Sequence, residues 1–145
     1  MTDLLLLGMM FVAGIAVAVQ PSVNARLAEK VGVIESACIS FAVGTFALLV
    51  LALFWGKGNL RGLSGTAWWE WSGGLLGAFF VWMMIFVVPR IGTAAAMSAV
   101  IAAQLMTGVA LDHFGAFGLK EVPLDLRRVA GCLLLLGGVA LVGRR

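Results

Sequence analysis

Charge is what this sequence has least of. Lys, Arg, Asp and Glu together make up 12% of its 145 residues, about half of the roughly 25% that a water-soluble domain carries. With 62% hydrophobic residues and a mean hydropathy of +1.08, the chain has too little polar surface to coat a globule in water. Histidine occurs once and cysteine twice. His113 stands beside Asp112, and adjacent helical residues point about 100° apart, so the two do not form a ready acid–base couple. They read as the interfacial end of a helix. Cys38 and Cys132 each fall in an apolar stretch, where thiols pack as small residues, and they show neither metal spacing nor a disulfide framework. No phosphate-binding loop, zinc motif or nucleophile constellation is present. The sequence therefore points away from an enzyme, with no catalytic residue, cofactor or metal expected. A secretory leader is not expected either: Ala16-Val17-Ala18 has the small-x-small form, but Met1-Thr2-Asp3 lacks a basic n-region.

What the chain has instead is long apolar runs. A bilayer core of roughly 30 Å takes about 20 apolar helical residues to cross. Such stretches fall at residues 4–25, 36–56, 71–89, 91–111 and 127–143. The charge-free part of the last begins only at Val129, giving about 15 residues or roughly 22 Å of helix, so it needs Leu126 and its neighbours or locally thinned lipid to span. The runs are continuously apolar, unlike the alternating pattern of a membrane barrel strand, which predicts an all-α integral membrane protein of about five transmembrane helices in a single domain, residues 1–145. Trp55, Trp68, Trp69 and Trp71 mark span ends at headgroup level. The connections leave no room for a soluble domain. A net charge of +3 comes from basic residues scattered at helix ends, so lipid headgroups are the expected partner and nucleic acid is not.

Polar side chains inside the runs cost free energy in lipid unless they meet a partner or a water-filled path. Gln20 and Asn24 lie four residues apart and share a helical face with Val17 and Ala13. Gln104, Gly108 and Asp112 form a second such stripe. Pro21 brings no N–H to the carbonyl of Val17, leaving that oxygen for water or a ligand. Gln20, Asn24 and Gln104, with Trp82 as a ring that stacks on a substrate or faces lipid, are the candidate substrate-binding residues. The competing role for the amides is hydrogen bonding between helices. Ala95, Ala99, Ala103 and Thr107 form a row of small residues, and Gly73 and Gly77 a GxxxG pair, both expected at helix-packing faces.

Gln20-Pro21-Ser22-Val23-Asn24-Ala25-Arg26-Leu27, then Ile39-Ser40-Phe41-Ala42-Val43-Gly44, resemble the YdcZ-like small proteins of the drug/metabolite transporter (EamA-like) superfamily. So do Ala103-Gln104-Leu105, Leu111-Asp112-His113-Phe114-Gly115, Arg128-Val129-Ala130-Gly131 and Gly137-Gly138-Val139-Ala140-Leu141. The resemblance covers essentially the whole chain. It implies a half-size relative of ten-helix transporters built from two inverted five-helix repeats, moving small metabolites by alternating access, in a bacterial inner membrane. The sequence departs from the superfamily's four-helix multidrug exporters, which rely on a carboxylate embedded in the first helix: nothing acidic lies between Asp3 and Glu29. An uncharged pathway suits polar neutral or zwitterionic substrates, because amides both donate and accept hydrogen bonds. The alternative is a non-transporting membrane subunit that packs against and stabilises a partner.

Five spans place Lys57, Arg61, Lys120, Arg127 and Arg128 on one side of the membrane and Arg26, Lys30, Arg90, Arg144 and Arg145 on the other. All ten Lys and Arg are then evenly divided, and an even division gives no orienting preference. The chain is thus expected to insert both ways and to pair as an antiparallel homodimer, or with an oppositely oriented homologous chain, recreating the inverted repeat. A fifth segment that failed to cross would move Arg144 and Arg145 and tip the count to seven against three.

Overall fold

A computed structural model describes residues 3–118 and 120–143. Arg144 and Arg145, which enter the charge count, lie outside them. The described residues are helical almost throughout: α1 (Asp3–Val31), α2 (Val33–Trp55), α3 (Ser72–Ile91), α4 (Thr93–His113) and α5 (Leu126–Gly143), with short 3₁₀ turns at Leu60–Gly65, Trp68–Trp71 and Ala116–Gly118. Among the described residues, five helices are long and apolar enough to cross a membrane. The protein is an all-α, multi-pass membrane protein, as its composition demands.

Glycine backbone conformation decides where two of the helices end. The third and fourth apolar runs are parted in the sequence at Arg90, next to Pro89. In the structure α3 continues through Pro89 to Ile91, and the break falls at Gly92, whose φ of 85° no other residue adopts cheaply. Gly32 (φ 100°) separates α1 from α2 in the same way. Its N–H donates to the Ala28 carbonyl at 2.9 Å and its carbonyl accepts from Ser36 N–H at 3.0 Å, so both helix ends keep hydrogen bonds across the link. α1 runs unbroken through Pro21 and extends past Ala25 to a polar last turn, where Arg26 pairs with Glu29. Asp125 explains the start of α5 at Leu126: its side chain accepts from Arg128 N–H at 2.8 Å, an N-cap that brings the helix to 18 residues, about 27 Å.

The chain forms two compact units, Met1–Arg90 and Ile91–Arg145. In the first, Ala37 of α2 meets Val81 and Ile85 of α3, with Ala28, Val33 and Phe80 around them; Ile85 is 1% exposed. The Phe41 ring of α2 lies over Gly77 of α3, where a Cβ would stand in ordinary contact with it at 3.4 Å. In the second unit α4 packs on α5, and Ala96 and Ala102 of α4 are buried. Most large apolar side chains point outward, Leu53 at 83% and Phe54 at 74% exposure among them. Water would not tolerate that surface, whereas lipid tails solvate it.

At φ 100° and ψ 158° Gly32 occupies a region essentially reserved for glycine, where a Cβ costs about 1–3 kcal/mol. Gly32→Ala is expected to lower stability by that amount in SDS titration of detergent-solubilised protein followed by circular dichroism. Gly74→Ala, with open space around the glycine in the first turn of α3, is expected to leave stability unchanged or raise it by less than the roughly 0.5–1 kcal/mol of a mid-helix glycine.

Candidate functional site

The polar centre of the first unit lies where α1 meets α2. Asn24 and Ser36 are buried, at 6% and 0% exposure. The Ser36 hydroxyl donates to the Asn24 carbonyl at 2.7 Å, and the Asn24 amide donates through Nδ2 to Ser40 Oγ at 3.1 Å. Ser36 and Ser40 are one helical turn apart, so both reach the same stretch of α1. Polar side chains on two apolar helices thereby satisfy each other. This geometry engages Asn24 in joining helices and leaves Gln20, half-buried one turn earlier, as the more available amide.

Gln20, Pro21 and Asn24 face Phe80, Val81 and Met84 of α3 across a gap too small for a water molecule. Trp82 is not part of that gap. It lies on a different face of α3, edge-on to Phe79 with ring centroids 6.2 Å apart, and with Ile34, Ala37, Cys38, Phe41 and Ala78 lines an apolar groove of about 250 Å³ between α2 and α3. Within the first unit, then, Gln20 and Asn24 come together and Trp82 stands apart from them.

Gln104 belongs to the second unit, exposed on α4, with Gly108 and Asp112 half-buried further along its stripe. Ala95 is half-buried while Ala99, Ala103 and Thr107 are exposed. Gly73 has open space around it, and Gly77 lies under Phe41.

The end of α4 carries a second polar group. Asp112 pairs with Arg128 of α5 at 3.1 Å, its carbonyl accepts from Val122 N–H at 2.8 Å, and His113 Nδ1 accepts from Leu124 N–H at 3.2 Å. Ser36, Ser40 and Arg128 are the residues that sequence reasoning passed over. The serines carried the same signal as Gln20 and Asn24, polar side chains four apart within or at the edge of an apolar run. Arg128 gave none, because its partner is set by how the connection folds back.

The chain matches, over residues 5–141, the family model described as "Putative inner membrane exporter, YdcZ". It is 32% identical over 151 aligned positions to the inner membrane protein YdcZ of Escherichia coli (strain K12), covering 100% of this chain and 99% of that protein. No solved structure matches it. Because the match runs from the first turns of α1 almost to the end of α5, and the five helices are of spanning length, the chain belongs to the YdcZ family and is a multi-pass protein of the inner membrane.

Proposed function

We propose that this protein is a small secondary transporter of the drug/metabolite transporter type, carrying a small polar metabolite or drug by alternating access as an antiparallel dimer. The observation that carries the reading is the match to an inner-membrane exporter family across all five helices, in a chain that has little besides those helices. The family description supports export as the direction. Gln20, Asn24 and Trp82 of the first unit and Gln104 of the second are the residues assigned to the substrate. The gap beside Gln20 is closed by side-chain packing from Phe80, Val81 and Met84, and transport opens it. The amides offered there are neutral and two-sided in hydrogen bonding, matching an uncharged or zwitterionic polar group. The even division of Lys and Arg supports insertion in both orientations, and two opposed copies supply the inverted repeat on which alternating access is commonly built.

Purified protein in liposomes is expected to move at least one member of a broad metabolite and drug panel. Flux of none, together with recovery of a stoichiometric membrane partner, overturns the transport reading in favour of a stabilising subunit. Gln20→Ala is expected to abolish or strongly weaken flux without loss of folded protein, since a bound polar group loses its partner. Gln104→Leu is expected to be milder. Asn24→Ala should reduce both flux and stability. A double-mutant cycle of Asn24→Ala with Ser40→Ala, read by SDS titration, is expected to show a coupling of about 0.6 kcal/mol and no more than about 1.7 kcal/mol.

Orientation has its own test. Single cysteines at Thr2 and at Arg145 in a background with Cys38 and Cys132 replaced, labelled in intact cells by a membrane-impermeant thiol reagent, are expected to react partially at both positions. Complete labelling at one position and none at the other rules out a dimer of oppositely inserted identical chains.

A further inference from the structure

We propose that His113 is a proton-operated latch on the connection between α4 and α5, holding that connection closed when neutral and releasing it when protonated. The connection returns to the end of α4 through two backbone amides. Val122 N–H donates to the Asp112 carbonyl at 2.8 Å, and Leu124 N–H donates to His113 Nδ1 at 3.2 Å. Pro123 between them has no N–H to offer. The first bond ends on a carbonyl and is indifferent to pH. The second requires a bare Nδ1, hence a neutral imidazole carrying its proton on Nε2. A proton added to Nδ1 turns the acceptor into a donor facing another donor, and the bond is lost.

The sign follows directly: the latched state binds one proton fewer at His113 than the open one, so it prevails at higher pH and gives way as pH falls. Histidine is the side chain that changes charge between pH 5 and 8, and His113 is the one histidine in the chain. The other titratable and charged groups around it leave this logic intact. Asp112, its neighbour on α4, has Oδ2 on Arg128 of α5. Asp125, before α5, has Oδ1 on the Arg128 amide. Cys132 of α5 lines the same cavity as His113, and Lys120 and Glu121 of the connection are exposed. Protonation therefore frees Leu124 while the Asp112–Val122 and Asp112–Arg128 contacts still tie the two helices together, which makes the release local.

The release reaches an apolar cavity of about 400 Å³ between α4 and α5, in whose wall Leu124 and His113 sit with Phe114, Val129, Cys132 and Leu136. Freeing Leu124 removes part of that wall on the side of the connection. A proton on His113 is thus converted into access to the space between the two helices. This device does not depend on what the protein carries, and its test reads one amide and one imidazole.

Hydrogen–deuterium exchange of the Leu124 amide, measured by NMR on ¹⁵N-leucine-labelled full-length protein in detergent micelles and divided by the intrinsic rate at each pH, provides that test. Between about pH 8 and about pH 5 the protection factor is expected to fall about three- to tenfold, the range for loss of one net hydrogen bond. His113→Asn, which keeps an oxygen acceptor near the Nδ1 position and does not titrate, is expected to show no pH dependence. His113→Leu is expected to be unprotected at both. Imidazole ¹⁵N shifts at the higher pH are expected to report the Nε2–H tautomer. A pH-independent protection factor in the wild type, the same pH dependence in His113→Asn, or an Nδ1–H tautomer overturns the proposal.

Discussion

The solvent of this protein is lipid, and lipid offers a buried polar group nothing. Every N–H and C=O in the hydrocarbon layer must find a partner within the protein, so helices are the form the spans take. The same solvent withdraws the usual reason for helices to associate, because acyl chains are as apolar as leucine. What remains to join helices is close packing and hydrogen bonding. Both operate in the first unit: Ala37 packs against Val81 and Ile85, and Asn24, Ser36 and Ser40 bond across the α1–α2 contact.

The two units apply this economy differently. α1 and α2 are joined near the end of α1 and the start of α2 by an amide and two hydroxyls, neutral groups whose burial is tolerable once paired. α4 and α5 are joined at the end of α4 by an ion pair and by the amides of a returning connection. Asp112 and Arg128 keep partial exposure, at 42% and 29% of their side chains, which spares the charges full desolvation. The charged pair keeps partial exposure, and the fully buried polar groups are neutral.

Hydropathy made the spans legible, because the penalty for charge in lipid is large and acts on every residue of a run. Helix ends were less legible. Residues 71–89 and 91–111 are parted in the sequence by Pro89 and Arg90, yet α3 passes both and stops at Gly92. Proline in a helix's last turn loses a hydrogen bond and crowds the carbonyl four residues back without ending the helix, whereas a positive φ turns the chain outright. The site was legible in part. The spacing of Gln20 and Asn24 put them on one face, since that relation lies within one helix. Ser36 and Ser40 as partners of Asn24, and the separation of Trp82 from Gln20, depend on how helices rotate against one another. In lipid that rotation is set by packing detail, which no periodicity records.

Packing detail also bears on the second copy invoked by the transport reading. α5 has no buried residue among those described, and on α4 Ala99, Ala103 and Thr107 are exposed, although small residues gain nothing from lipid that a leucine would not gain in greater measure. Small side chains are useful where a backbone approaches closely. On a helix facing only lipid, the row would shed packing area for no return, whereas against another helix it lets main chains approach until van der Waals contact and weak Cα–H hydrogen bonds accumulate. The antiparallel arrangement adds a geometric condition. A two-fold axis in the membrane plane sets each interface helix against its own copy or against its symmetry mate, so the faces that meet must be self-complementary. A row of near-uniform small residues meets that condition in either direction of approach, because it presents no large side chain that must find a unique hole.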